Sequence, residues 1–217
     1  MFKDIKAAIF DMDGTLIDSM WVWKTVDIEY LMKRNITPPD DLRENIEHLS
    51  FSETAKYFKE RFNLNESIEA IMAEWNDIAL KEYTNNVKLK PGAKEFLTLL
   101  KSNEIKIGLA TSNCNMLLEV ALKNNNIYDY FDCITTTNEV NRGKNFPDVY
   151  LLCAEKLEVA PAKCIVFEDI LPAVIGAKAA GIKVIGVHDL YSENQKEDIM
   201  RLADLYIFQY NELTKAV

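Results

Sequence analysis

The spacing of apolar residues changes character twice along this chain. Ile5 to Phe10 is a short apolar run that stops at Asp11-Met12-Asp13-Gly14-Thr15-Leu16. A run of that length closed by a turn signal predicts a buried strand. From Asp18 to about Tyr83 the period is helical, with no convincing strand. Phe51, Ala55, Phe58 and Phe62 share one helical face, as do Ile68, Met72, Trp75, Ala79 and Tyr83. A first helix starts near Ser19, Pro38-Pro39 breaks the region, and Ser50 or Ser52 is placed to cap the next helix. Trp21, Trp23, Trp75 and the phenylalanines read as the core of a small helical bundle.

Beyond Pro91-Gly92, helices and strands alternate. Ala93, Phe96, Leu97 and Leu100 mark a helix, and Ile105–Ala110 a strand. Met116, Leu117, Val120 and Ala121 mark a second helix, followed by a short strand at Cys133–Thr135. A third helix begins near Pro147, a residue suited to a first turn. Then come a strand at Cys164–Phe167, a small-residue helix at Ala173–Ala180 stopped by Gly181, and a strand at Ile182–Val187. A helix around Asp198–Ala203 and a strand at Leu205–Phe208 end the series. Alternation of this kind implies right-handed crossovers and a parallel sheet covered on both faces. The expected architecture is one α/β core, residues 1–16 and 86–217, interrupted by a helical insert, residues 17–85. The insert leaves beside the first carboxylate pair, where a cap or lid would have to sit.

Composition narrows the function classes. A net charge of −9 argues against nonspecific binding of nucleic acid or an anionic membrane. No stretch approaches the roughly 18 uninterrupted apolar residues of a membrane helix. The first apolar run is too short for an export signal and lacks a small-residue cleavage pattern. Cys114, Cys133, Cys153 and Cys164 have no metal-type spacing and read as reduced core thiols, so the expected compartment is the cytoplasm.

Ligands of open α/β sheets bind outside the carboxyl ends of the strands. Here the polar residues gather at those ends: Asp11 and Asp13 after the first strand, Thr111-Ser112-Asn113 after the second, Glu168-Asp169 after the Cys164 strand. Some could serve as helix caps, Ser112 or Asn113 for one helix and Asp169 for another. Four carboxylates converging on one edge repel one another unless a cation compensates, and an all-oxygen site favours Mg²⁺.

These residues carry a resemblance. Phe10-Asp11-Met12-Asp13-Gly14-Thr15-Leu16 resembles motif one of the haloacid dehalogenase superfamily of phosphotransferases, and Thr111-Ser112-Asn113 resembles motif two. Arg142-Gly143-Lys144-Asn145-Phe146-Pro147-Asp148-Val149-Tyr150 is similar to motif three. Val166-Phe167-Glu168-Asp169, with Ala179-Ala180-Gly181, is similar to motif four. The insert looks like the helical cap of the β-phosphoglucomutase-like and phosphoglycolate-phosphatase-like branch. The resemblance implies a Rossmann-like core and a cofactor, Mg²⁺. Asp11 would be nucleophile and metal ligand. Asp13 would be general acid and base, with its backbone carbonyl on the metal. Lys144 would spread positive charge over the transferring group and orient Asp11. Thr111, with Ser112, Asn113 and Gly14, would bind the substrate phosphate, and Glu168 and Asp169 would complete the metal shell.

Asp13 is absent from the family's dehalogenases, so its presence favours phosphate-ester chemistry. The partner implied is a small phosphorylated metabolite, and the activity a phosphatase. A sugar-phosphate mutase is the alternative. Mutases of this type carry a histidine where Trp23 falls and an arginine where Phe51 falls. Both departures favour the hydrolase. His48 and His188 receive no role. Asn145 stands where the family has proline, and Ile170 where it often has a small residue.

Overall fold

The computed structural model describes residues 2–46 and 51–214. The chain divides into two compact units, one of residues 1–20 with 87–217, the other of residues 21–86.

The larger unit is built on a six-stranded parallel sheet. Its strands are β1 (Ala7–Phe10), β4 (Lys106–Thr111), β5 (Cys133–Thr136), β6 (Cys164–Glu168), β7 (Lys183–Val187) and β8 (Leu205–Ile207), in the order β5-β4-β1-β6-β7-β8. β1 is therefore interior, pairing with β4 on one side and β6 on the other. After β5 the chain crosses over β1, which makes β1 the point where the winding reverses. That is where such sheets open a crevice at their carboxyl edge. The register aligns Phe10 with Leu109 and Phe167, so the residues that follow each strand emerge on one edge.

Helices α5 (Ala93–Ser102), α6 (Asn115–Asn124), α7 (Asp148–Lys156), α8 (Leu171–Ala179) and α9 (Lys196–Leu202) make the crossovers. β1 is apolar throughout because both faces are covered. On one face Phe10 stacks on Phe167, ring centroids 4.4 Å apart, against Phe96 and Tyr210. On the other, Ile9 and Val166 join Val149, Tyr150, Cys153 and Val174. All four cysteines are free thiols.

The smaller unit holds most of α1 (Met20–Met32) with α2 (Leu42–Ile46), α3 (Phe51–Arg61) and α4 (Ile68–Asn85). Trp75 is the hub of its core, 4.8 Å from the Phe58 ring and 5.7 Å from Tyr30. Trp21 and Trp23 are only half-buried, because they lie in the first turn of α1 and only Val22, Val26, Tyr30 and Leu31 of that helix are fully buried.

The expected fold class holds, a parallel α/β sheet with an inserted helical segment, and element ends are displaced by a residue or two, as frayed termini are. Three details differ. A two-residue antiparallel ribbon, β2 (Ile17–Asp18) with β3 (Lys88–Leu89), was not predicted, since two residues carry no period. Ser52 lies inside α3 rather than capping it, and Ser50 and His48 fall outside the described residues. The residues flanking α6 and α8 are Cys114 and Ile170, neither with a side-chain cap bond. Asn113 and Asp169 do not cap those helices; their side chains are drawn into other bonds described below.

Candidate active site

Asp11 is the first residue past β1, and its N–H still donates to Phe167 O at 3.0 Å. This last sheet bond fixes Asp11 beside the end of β6, which carries Glu168 and Asp169. Oxygens of Asp11, Glu168 and Asp169 lie within 4.8 Å of one another, and all three residues are buried. Lys144, from the loop before α7, enters this group and donates to Asp11 Oδ1 and, at 2.6 Å, to Glu168 Oε1.

Three carboxylates against one ammonium leave the group short of positive charge. Burial opposes charge on Lys144, but Asp11 and Glu168 outweigh it and hold its pKa above the ordinary lysine value. Burial pushes Glu168 up to about 7 despite Lys144. Burial, then Asp11 and Glu168, push Asp169 well above the usual carboxylate range. Glu168 Oε1 accepts from Lys144 and Tyr150, while Oε2 is buried without a hydrogen-bond partner among the described residues. A buried orphan oxygen, an excess of carboxylates and a wholly oxygen donor set fit a hard divalent cation.

Asp13 stands apart from this cluster. Its Oδ1 accepts from Ser19 Oγ at 2.7 Å and its Oδ2 from Asn113 Nδ2 at 2.8 Å. Its side chain is therefore not among the clustered oxygens, contrary to a reading of all four carboxylates as one metal set. Gly14 turns the chain away with φ of +79°, and a Cβ there would lie 2.2 Å from Asp169 Oδ2. Only glycine satisfies both demands. Its N–H is taken by Ile17 O at 3.0 Å, and Thr15 Oγ1 donates to Asp169 Oδ1 at 3.0 Å. Gly14 thus shapes the turn, rather than offering its amide to a ligand.

Thr111 ends β4, and its Oγ1 accepts from Asn113 N at 3.0 Å. Asn113 Oδ1 accepts from Cys114 N at 2.8 Å. Ser112 is exposed in the bend between them. His188, the first residue past β7, has its Nδ1 3.1 Å from Tyr206 OH and 3.3 Å from Glu193 Oε2.

Sequence reasoning missed three residues. Tyr150 bonds Glu168 Oε1 at 2.8 Å, and nothing in a helical apolar position marked its hydroxyl. Ser19 sits three residues past the end of the first motif. Gly176, inside α8, lets the Lys144 loop approach; a Cβ there would be 2.0 Å from Lys144 O. A glycine in the middle of a helix, where it costs about 1 kcal/mol relative to alanine, was the available signal.

A buried lysine bridging two carboxylates, a separate carboxylate two residues after Asp11, and a hydroxyl loop at the end of the neighbouring strand gather at the carboxyl edge of one parallel sheet. The sequence profile of the haloacid dehalogenase-like hydrolases matches residues 8–187. The chain belongs to that family. It is 32% identical to hexitol phosphatase B of Escherichia coli K12, over 98% of this chain and 96% of that one. It is 31% identical to a phosphorylated carbohydrates phosphatase of Thermotoga maritima, over 83% of this chain and 84% of that one. A solved Thermotoga maritima protein, proposed to be a β-phosphoglucomutase, superposes with a TM-score of 0.85 at 29% identity, covering 98% of this chain and 100% of its own. Among these hydrolases the chain stands with the phosphatases, as its second aspartate led one to expect. Among the described residues no helix is long and apolar enough to cross a membrane.

Proposed function

We propose that this chain is a Mg²⁺-dependent phosphatase of a small phosphorylated carbohydrate, acting through an aspartyl phosphate on Asp11. The observation that carries the reading is the division of labour between two carboxylates. Asp11 is held by Lys144 within the buried acidic group, while Asp13 is oriented independently by Ser19 and Asn113. Asp11, Glu168 and Asp169, with the backbone carbonyl of Asp13, would hold Mg²⁺. The ion supplies charge neutralisation, which lets an anionic nucleophile approach an anionic ester.

The protein's own residues do the rest. An Asp11 oxygen forms a bond to phosphorus as the P–O bond to the sugar alcohol breaks, and Asp13 gives the departing oxygen its proton. Asp13 then takes a proton from water, whose oxygen attacks phosphorus. The P–O bond to Asp11 breaks, releasing inorganic phosphate and the free carboxylate. Thr111 and the Lys144 ammonium hold the phosphoryl oxygens through both steps; the contribution is positioning and charge stabilisation, as phosphoryl transfer requires.

The names of the relatives support a phosphorylated polyol or sugar as the substrate class. A mutase needs polar groups to hold a second phosphate. At the two positions where such groups are expected, Trp23 and Phe51 instead pack edge to face, 5.6 Å apart. The test is a screen of hexitol phosphates, hexose phosphates, nucleotides and phosphoglycolate with Mg²⁺, beside Asp11→Asn. Free phosphate from the wild type, and a loss on the order of 10³-fold or more in the variant with its melting temperature kept, is the expected result. Undiminished turnover by Asp11→Asn refutes the mechanism. Conversion of β-glucose 1-phosphate to glucose 6-phosphate without phosphate release refutes the hydrolase.

A further inference from the structure

Asn113 was expected to bind substrate; its hydrogen bonds also tie it to Asp13. Cys114 N–H needs an acceptor, and Asn113 Oδ1 supplies it at 2.8 Å. With the oxygen committed, the amide cannot turn over, and Nδ2 is aimed at Asp13 Oδ2, also at 2.8 Å. The residue's own N–H is tied to Thr111 Oγ1 at 3.0 Å. Asn113 is therefore anchored to the loop after β4 at two points, with Nδ2 donating to the carboxylate after β1. Ser19 Oγ holds the other oxygen of that carboxylate at 2.7 Å. A carboxylate free to spin about its last torsion samples a broad range of orientations. One with a donor on each oxygen has that rotation restricted.

We propose that Asn113 is a positioning residue for the acid/base, setting the direction in which Asp13 delivers and takes its proton, and that it does not act on the transferring phosphoryl group. The proposal rests on Asp13 being the general acid. It also couples two loops, because the strand that ends in Thr111 carries the residue that aims Asp13. Misaiming an acid costs most when the leaving alcohol most needs a proton, and little when the leaving group departs unaided.

The test compares kcat/KM for a hexitol phosphate, whose alkoxide leaves poorly, with kcat/KM for 2,4-dinitrophenyl phosphate, whose phenolate leaves well, both with saturating Mg²⁺. Asn113→Asp keeps an oxygen for Cys114 N–H but replaces the donor facing Asp13 with a like charge. Asn113→Ala removes both contacts. In each, the ratio of the alkyl to the aryl kcat/KM is expected to fall at least tenfold. Asp13→Asn should lower the same ratio at least as far, and the double variant Asp13→Asn, Asn113→Asp should lower it no further. An unchanged ratio in the Asn113 variants, whether both substrates suffer equally or neither does, overturns the proposal while leaving the acid/base reading intact. An unchanged ratio in Asp13→Asn overturns that reading and the proposal with it.

Discussion

At Glu168, one oxygen accepts two hydrogen bonds and the other accepts none from the described residues, both out of reach of water. The cost of that arrangement is visible in its pKa, pushed from 4.5 to about 7 by burial against the pull of Lys144. Without metal, the folded protein thus holds a proton at Glu168 that the unfolded chain releases near pH 4.5. The stability this group confers is complete below its unfolded value and is lost as pH rises through about 7. Glu168→Gln cannot ionise. In metal-free samples its melting temperature relative to wild type should climb from pH 5 to pH 8. The shift produced by adding Mg²⁺ to the wild type should also be larger at pH 8, because ligand oxygens bind as anions. Calorimetry at both pH values checks this; a flat difference would mean Glu168 is ionised in the fold throughout. The residues bearing charge were readable from sequence, since an aspartate or glutamate that ends an apolar strand is conspicuous. Their partners were not. Tyr150 looks like any buried aromatic, and Asn113 like any turn or phosphate-loop residue, until the second strand end is brought alongside.

Helix α8 shows how an element positions a side chain it does not contain. Its Gly176 leaves room for the backbone of residues 144–146, with Lys144 O where a Cβ would be. Gly176→Ala should gain about 1 kcal/mol in helix propensity. It should lose more than that by displacing the loop, since forced overpacking costs about 1–3 kcal/mol. The expected outcome is a lower melting temperature together with reduced kcat, from a Lys144 withdrawn from Asp11. A more stable, fully active Ala variant would contradict the close approach. Helix and strand periods were legible along the core because parallel strands buried on both faces are continuously apolar. Caps were less so: a polar residue at a strand end has two possible uses, and at Asn113 and Asp169 the site claims the side chain. Nor could the β2–β3 ribbon be read, being made by residues on either side of the insert.

For the whole molecule, the alternation of elements announces a parallel sheet, and the carboxyl-edge rule gathers the motif residues at one place. What the pattern could not reveal is strand order, because each crossover joins segments whose pairing is decided by packing across the sheet. The order puts the first strand in the middle, with Ala7 opposite both Lys106 and Cys164. Helices α3 and α4, by contrast, find each other within a short stretch of chain. Contacts between distant residues close slowly. Pulse-labelled hydrogen exchange during refolding should therefore find amides of α3 and α4 protected before those of β1. Simultaneous protection would show a single concerted event.

The central place of β1 also bears on synthesis. As the chain is synthesised, Ala7–Phe10 and Asp11 emerge well before their neighbours in β6. Until then a strand made only of apolar side chains has no sheet to join and is open to wrong partners. Asp11 is made well before Glu168 and Asp169, so the buried acidic group the three form cannot assemble until the last two have been translated.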